Sequence, residues 1–141
     1  MRVKVASMLS VLSLLLAGCR HGNNSQTALT DAGIAEKIVG TWQVAELTPR
    51  GVSASGTVSI LRDGSLSSDG RFVRGERKIS IAYTGTWQVE KGVLIETIKT
   101  TSNSNLLAVG LVTRDKILRL DDRELVFETE TGKRVTRERA Q

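Results

Sequence analysis

The alternation of apolar and polar residues is the feature that most constrains how this chain can fold. From Thr41 onward, apolar side chains recur at every second position, and turn signals such as Asp63-Gly64 and Lys91-Gly92 separate the alternating runs. A period of two is typical of strands with one buried face, and turns every eight to twelve residues join such strands into an antiparallel sheet. The pattern predicts about eight to ten short sequential strands in a sheet that closes or folds on itself.

Several local features of this sheet are predicted from the same pattern. Asp63-Gly64 and Asp69-Gly70 each suit a tight hairpin. One parity continues from Ile79 to Val89 through Gly85, which predicts a long strand with a bend or bulge at the glycine. A further strand is predicted where apolar residues alternate from Leu107 to Leu111.

One short helix is expected ahead of the strands. Thr30 can cap a helix over Asp31 to Val39, and an acidic residue in the first turn is favourable there. Ile34 and Ile38 lie four positions apart and so share one face. Gly40 is a natural stop for this helix. The fold class predicted from the residues is therefore all-β with a short N-terminal helix.

The N-terminus has the features of a bacterial export signal. Two basic residues precede an apolar stretch, Val5 to Leu16, which is too short to cross about 30 Å of hydrocarbon as a helix. Leu16-Ala17-Gly18-Cys19 follows and resembles the lipobox of bacterial lipoproteins. The resemblance implies cleavage before Cys19, acylation of that cysteine with fatty acids such as palmitate, and a lipid anchor in the membrane. The alternative is an ordinary secreted protein in which Cys19 keeps a free thiol.

Composition excludes several kinds of site from the folded part. The chain has one cysteine, one histidine and two methionines, and all four precede the predicted domain: Cys19, His21, Met1 and Met8. The domain therefore lacks Ser-His and Cys-His nucleophilic pairs and the ligands on which most zinc, copper and haem sites depend. We predict no metal, no cofactor and no catalytic residue, so the chain is not expected to be an enzyme.

Carboxylates leave one enzymatic alternative. Asp121-Asp122 is the only adjacent acidic pair, and a hydrolase that uses carboxylates alone would have to rely on it. Neighbouring residues on a strand face opposite sides, and Asp-Asp-Arg between apolar runs is ordinary turn chemistry. The pattern favours a turn at this position.

The charge distribution suggests a surface for anionic partners. The formal net charge is +5, and it falls to about +3 when the two basic residues of the signal are removed. The densest basic run consists of Arg71, Arg74, Arg77 and Lys78. Such a run could contact lipid or glycolipid phosphates, although a solvated strand face is the simpler interpretation. Nucleic acid is not a predicted partner, because the chain lacks aromatic stacking platforms.

The pentapeptide Gly-Thr-Trp-Gln-Val occurs twice, at residues 40–44 and at residues 85–89. With the short helix before it, Gly40-Thr41-Trp42 resembles the start of the lipocalin-like lipoproteins of bacteria, which are small antiparallel barrels. The resemblance implies an up-and-down barrel. The repeat itself predicts two barrel-closing positions with similar packing needs, at which Gly40, Trp42 and Trp87 help to close the barrel. The resemblance also implies that an arginine near the end of the last strand packs over Trp42 in a cation–π contact. Arg137 is the first choice for this arginine, and Arg139 is the second.

The chain is thus predicted to consist of three parts: a signal peptide over residues 1–18, an acylated Cys19 with a flexible tether to residue 29, and a lipocalin-like barrel over residues 30–141. Arg20 stands where the enterobacterial inner-membrane retention signal has an aspartate, so the resemblance favours the outer membrane, facing the periplasm. The expected function is binding of a small apolar or amphiphilic ligand inside the barrel. The alternative is an envelope interaction module that has a filled barrel and uses its surface to contact a protein or a glycolipid.

Overall fold

A short helix leads into eight antiparallel strands in the computed structural model, which describes residues 29–47 and 51–141. Each strand pairs with the next one in sequence, and the last strand pairs with the first, so the barrel is closed. The predicted all-β barrel with a short helix is confirmed, with eight strands. The elements are α1 (Asp31–Ile38), β1 (Gly40–Leu47), β2 (Ser53–Ile60), β3 (Ser65–Arg74), β4 (Arg77–Glu90), β5 (Val93–Thr101), β6 (Val112–Leu120), β7 (Glu124–Glu128) and β8 (Arg134–Arg139).

The helix α1 begins at the predicted cap and is attached to the barrel by its first residue. The Thr30 hydroxyl accepts a hydrogen bond from the backbone N–H of Gly33 at 3.2 Å. The Asp31 carboxylate accepts bonds from the backbone N–H groups of Lys91 and Gly92, at 2.6 and 2.8 Å. These two donors belong to the β4–β5 turn, so α1 lies across the end of the barrel that carries this turn. We call it the closed end.

The apolar core fills the closed end. Ile38 of α1 is fully buried against the barrel. Burial of a large apolar side chain such as that of Ile38 contributes roughly 1.5–3 kcal/mol, and such burial is the main source of stability for a barrel of this size. The cluster consists of Ile38, Trp42, Val58, Ile60, Leu94, Leu125 and Phe127.

Two predicted local features of the sheet are confirmed. The Asp63-Gly64 segment forms the tight connection between β2 and β3, where the N–H of Leu61 bonds to the carbonyl of Ser65 at 2.9 Å. The long strand predicted through Gly85 is β4, and its pairing with β5 shifts register between Thr84 and Gly85.

Asp69-Gly70 is not a turn, so that prediction is wrong. Both residues lie inside β3, where Gly70 pairs with Gly56 of β2. A Cβ atom on Gly56 would stand 2.2 Å from the Asp69 carbonyl oxygen and 2.6 Å from the Gly70 Cα. Gly56 and Gly70 therefore allow the backbones of β2 and β3 to approach each other closely.

The strand predicted over Leu107 to Leu111 is also absent from the described barrel. Residues 102–111 form a loop between β5 and β6, in which the Asn103 carbonyl accepts bonds from the N–H groups of Leu106 and Leu107. β5 pairs directly with β6, so the sheet has no place for another strand between them. Leu106, Val109 and Leu111 are consequently exposed.

Candidate functional site

The predicted closure residues Gly40 and Trp42 meet at the closed end. Trp42 is fully buried and donates a hydrogen bond from its indole N–H to the Ile38 carbonyl at 2.8 Å. The guanidinium of Arg139 lies over the Trp42 ring, 4.2 Å from its centroid. Arg139 also donates to the carbonyls of Val39 and Lys37, at 3.0 and 2.7 Å, and so binds the C-terminal end of α1 to the barrel.

The structure corrects the choice between the two arginines: Arg139 packs over Trp42, and Arg137 does not. The reason is the register of β1 and β8, in which Trp42 pairs with Arg139 while Arg137 pairs with Val44, further along the barrel. Gly40 is tied to the same contact, because its φ is +145° and a Cβ there would lie 2.3 Å from an Arg139 guanidinium nitrogen. The absence of a side chain at Gly40 therefore leaves room for the Arg139 guanidinium.

Trp87 lies at the closed end as well. Its indole N–H donates to the Leu61 carbonyl at 2.8 Å, and its backbone N–H donates to the Gly64 carbonyl at 2.9 Å. The side chain is half-buried and packs against the apolar core. The second copy of the pentapeptide thus holds the β2–β3 turn against β4.

Arg137 points into the other half of the barrel, where it forms a buried ion pair. Its guanidinium donates to the Glu96 carboxylate at 3.0 Å and lies 4.9 Å from the centroid of the Phe127 ring. Burial by itself would lower the pKa of Arg137, but the attraction of Glu96 and their hydrogen bond outweigh it, so that the pKa is raised. Arg137 therefore remains a cation inside the barrel.

Asp115 on β6 is a second buried carboxylate, and it has no such partner. Its side chain is 7% exposed, and it makes no hydrogen bond or ion pair with any described residue. Burial, reinforced by the negative charge of Glu96, raises the pKa of Asp115 to about 6. Thr113, two positions earlier on the same face, has a buried hydroxyl oxygen without a hydrogen-bond partner among the described residues.

A cavity of about 460 Å³ occupies this half of the barrel. Its walls are mostly apolar, and they extend to the β5–β6 loop and the β7–β8 turn, opposite the closed end; we call this side the open end. Volumes of roughly 300–1,000 Å³ are usual for small-molecule sites. The polar side chains on its wall are Tyr83, Glu96, Thr113, Asp115 and Arg137, with Glu46, Arg114, Thr129, Glu130 and Thr131 nearer the open end.

Two details extend this picture of the cavity. A smaller space of about 140 Å³ adjoins it and shares Val44, Phe72 and Tyr83 as wall residues. The Tyr83 phenol has a raised pKa because it is buried and lies near the negative charge of Glu96. The open half of the barrel is therefore not filled by side chains, whereas the closed end is.

Glu96, Asp115 and Tyr83 were not predicted as site residues. Each occupies an inward position in an alternating strand, where hydrophobic residues are the rule. Glu96 lies between Leu94 and Ile98, which are both buried. A charged residue on the buried face of a strand could have indicated Glu96. However, the segment Val93 to Thr100 has apolar residues on both faces, so the sequence does not show which face is buried.

The basic run lies on the β3–β4 hairpin. Arg71, Arg74, Arg77 and Lys78 are all exposed, and none of them forms an ion pair with a described residue. Arg74 and Arg77 pair across the hairpin next to its turn, so their like charges are adjacent. Arg71 and Lys78 have the opposite parity to Arg74 and Arg77, so the four cations lie on both faces of the hairpin. We call this group of side chains the basic hairpin.

The adjacent acids Asp121 and Asp122 lie at the β6–β7 turn. The Asp121 carboxylate accepts bonds from the backbone N–H groups of Arg123 and Glu124, both at 2.8 Å. Asp122 is exposed and forms an ion pair with Lys37 at 3.2 Å. These contacts are those of a turn, as the sequence pattern favours.

The remaining predictions about the N-terminus lie outside the described residues, because Cys19, Arg20 and the segments over residues 1–18 and 20–28 are not among them. Over residues 29–47 and 51–141, no helix is long and apolar enough to cross a membrane. Across the same residues, no group of three or more His, Cys, Asp or Glu side chains could hold a metal ion. No protein-family model matches the chain, and a search of curated proteins finds no significant match.

Proposed function

We propose that this chain is a lipocalin-like envelope lipoprotein that binds a small apolar or amphiphilic molecule inside its barrel and is not an enzyme. The observation that carries the proposal is the cavity of about 460 Å³ in the open half of the barrel. A mostly apolar wall with a few convergent polar groups is the usual form of a small-molecule site. The closed end keeps the fold intact, so that the open half is free to hold a ligand.

The proposed membrane anchor is supported by the sequence. Leu16-Ala17-Gly18-Cys19 follows a basic and apolar leader, and Arg20 occupies the position that would carry an inner-membrane retention signal. Acylation of Cys19 would hold the barrel on the outer membrane, facing the periplasm. Each buried CH₂ of an acyl chain contributes about 0.8 kcal/mol, and more than one chain is needed for stable anchoring.

Ligand binding can be tested by native mass spectrometry of the processed protein extracted from its bacterial host. We expect a small molecule to be released from it on activation. The variant Val135→Phe places a ring in the cavity, because Val135 lines it, and should lose this molecule. Thr136→Phe adds the same ring to the exposed outer face one position later and should keep it. Empty wild-type protein that also gives no heat of binding when long-chain alcohols are added would contradict ligand binding.

The anchor is tested by metabolic labelling with an alkyne fatty acid. The wild-type chain should carry the label and sediment with membranes, whereas Cys19→Ser should do neither. Arg20→Asp should keep the label but move the protein from the outer to the inner membrane fraction in a density gradient. An unlabelled wild-type protein in the soluble fraction would support the alternative of a secreted protein with a free thiol.

A second candidate function is docking of the basic hairpin on an anionic envelope component. The observation that favours it is the exposure of Arg71, Arg74, Arg77 and Lys78 without ion pairs among the described residues. Four such cations attract phosphate-rich surfaces. Reversal of two charges, Arg74→Glu with Arg77→Glu, should abolish binding to glycolipid vesicles and leave the cavity ligand in place. Lys116→Glu with Lys99→Glu, at exposed sites on β6 and β5, reverses the same number of charges and controls for the change in net charge.

A further inference from the structure

The charged groups inside the cavity do not balance. Among residues 29–47 and 51–141, two buried carboxylates, Glu96 and Asp115, accompany one buried guanidinium, that of Arg137. Glu96 already balances the charge of Arg137 through the ion pair at 3.0 Å, so Asp115 is left as an acceptor without an ion-pair partner and is only 7% exposed. Buried carboxylates are normally paired or hydrogen-bonded. The structure therefore has one acceptor in excess at the wall of an otherwise suitable ligand cavity.

We propose that the ligand is a cationic amphiphile, whose protonated amine binds Asp115 and whose apolar part packs on the cavity wall. This inference rests on the proposed ligand-binding function and specifies its ligand class. An ammonium group has three donors and no acceptor, so it complements a carboxylate and a hydroxyl at the same time. Asp115 and Thr113 supply these two acceptors from one face of β6.

The neighbouring arginine does not make this a fatty-acid site. A carboxylate ligand would have to share Arg137 with Glu96, which is itself buried and already balances the charge of the guanidinium. It would also bring a third negative charge close to Glu96 and Asp115. Like charges in a low-dielectric interior repel strongly, so the anionic ligand is the disfavoured one.

The raised pKa of Asp115 is consistent with a carboxylate that has no cation bound to it in the empty cavity. Its raised pKa is due first to burial and then to the charge of Glu96, while Arg137 opposes both. The charged or titratable groups that share the cavity wall with Asp115 are Glu96 on β5, Arg137 on β8 and Tyr83 on β4, with Glu46, Arg114 and Glu130 nearer the open end. A bound cation would favour the ionised form of Asp115. Binding of an amine should therefore weaken as the pH falls below about 6.

The test compares three probes of equal chain length: dodecylamine, dodecanol and dodecanoate. Titration calorimetry on the full processed chain in phosphatidylcholine nanodiscs, below the micelle concentration of each probe, measures their affinities near pH 7.5. We expect dodecylamine to bind at least about tenfold more tightly than dodecanoate. A hydrogen-bonded charge pair of ordinary strength accounts for a factor of this size.

The variant Asp115→Asn tests the contribution of the Asp115 carboxylate to amine binding, and Asp69→Asn is its matched control. Asp69 is an exposed aspartate on β3, so its replacement removes the same charge from the outside of the barrel. Partition of the probes into the nanodisc lipid is common to all variants and cancels between them. Dodecylamine affinity should fall about tenfold in Asp115→Asn only, while dodecanol affinity should stay the same in all three proteins.

A pH series on the wild type keeps the inference falsifiable if Asp115→Asn does not fold. Dodecylamine affinity should fall about tenfold between about pH 7.5 and pH 5, because an acid with a pKa near 6 is then mostly protonated. Equal affinities for the amine and the carboxylate, or a pH-independent amine affinity, would overturn the inference. If dodecanol binds without any preference for the amine, the cavity function stands and only the ligand class is wrong. If no probe binds, the proposed function itself fails.

Discussion

Gly40 and Arg139 depend on each other at the closed end. The Arg139 guanidinium stacks on Trp42 and donates to two carbonyls near the end of α1. It reaches them through the space that Gly40 leaves open, where a Cβ would stand 2.3 Å from its nearest nitrogen. The motif glycine is therefore required by the arginine as well as by its own positive φ.

We predict that Gly40→Ala lowers the free energy of unfolding by roughly 2 kcal/mol or more, because it combines backbone strain with displacement of Arg139. Gly75→Ala is the control, since Gly75 also has a positive φ, +58°, but a Cβ there meets nothing within 4 Å. Urea denaturation followed by tryptophan fluorescence measures both. If displacement of Arg139 matters, Gly40→Ala should cost clearly less in an Arg139→Ala background than in the wild type, and additive effects would contradict the coupling.

Asp115 should make the empty barrel less stable as the pH rises. Its pKa is about 6 in the folded protein and near its usual value of 3.8 in the unfolded chain. Between these values the folded state binds the proton and the unfolded state does not, so the free energy of unfolding falls with increasing pH. The effect is complete above about pH 6 and absent below about pH 4.

Asp115→Asn should therefore stabilise the ligand-free protein at neutral pH. We expect a gain on the order of 1 kcal/mol near pH 7.5, reduced from the full shift by screening in the open cavity, and almost none near pH 4. Denaturation curves of wild type and variant at both pH values provide the measurement. A gain of equal size at the two pH values would mean that the ionisation of Asp115 is not its cause.

At the scale of the elements, the N-terminal end of α1 is held to the barrel by one carboxylate. Asp31 accepts hydrogen bonds from the backbone N–H groups of Lys91 and Gly92, which belong to the β4–β5 turn. We expect Asp31→Ala to cost about 1–3 kcal/mol, because it leaves two backbone donors without their charged acceptor. Hydrogen exchange should accelerate at these two amides. Glu36→Ala, an exposed substitution in the same helix, should leave them protected, and unchanged exchange in Asp31→Ala would contradict this role.

The strands show why some elements were predictable and others were not. Period-two alternation and the glycine of each tight turn are local signals, and they located β4 and its irregularity at Gly85. The Asp69-Gly70 pair gave the same local signal as a hairpin, but only the neighbouring strand shows that Gly70 faces Gly56 across the sheet. Residues 107–111 alternate correctly, yet β5 and β6 already pair with each other. Strand partners are a property of the closed barrel and not of a segment.

At the scale of the whole molecule, the two halves of the barrel differ in chemistry. The closed half is packed with apolar residues, as the alternation predicts, whereas the open half contains Glu96, Asp115 and Arg137. The sequence indicated neither the inward position of Glu96 nor the choice between Arg137 and Arg139, because both depend on the register of strands distant in sequence. The cavity could not be predicted at all, since its volume depends on how eight strands close.

A polar interior of this kind costs stability, and the cost can be measured. Removing one member of a buried ion pair leaves an uncompensated charge and typically costs about 3–5 kcal/mol, whereas replacing both members by apolar residues is often neutral. We expect Arg137→Met to fall at the lower end of this range, because it leaves Glu96 and Asp115 facing each other across an open cavity. The double variant Arg137→Met with Glu96→Leu should recover to within about 1 kcal/mol of the wild type, as judged by urea denaturation. Such recovery would show that the barrel folds without its charge pair; a double variant as unstable as Arg137→Met would instead make the pair part of the fold.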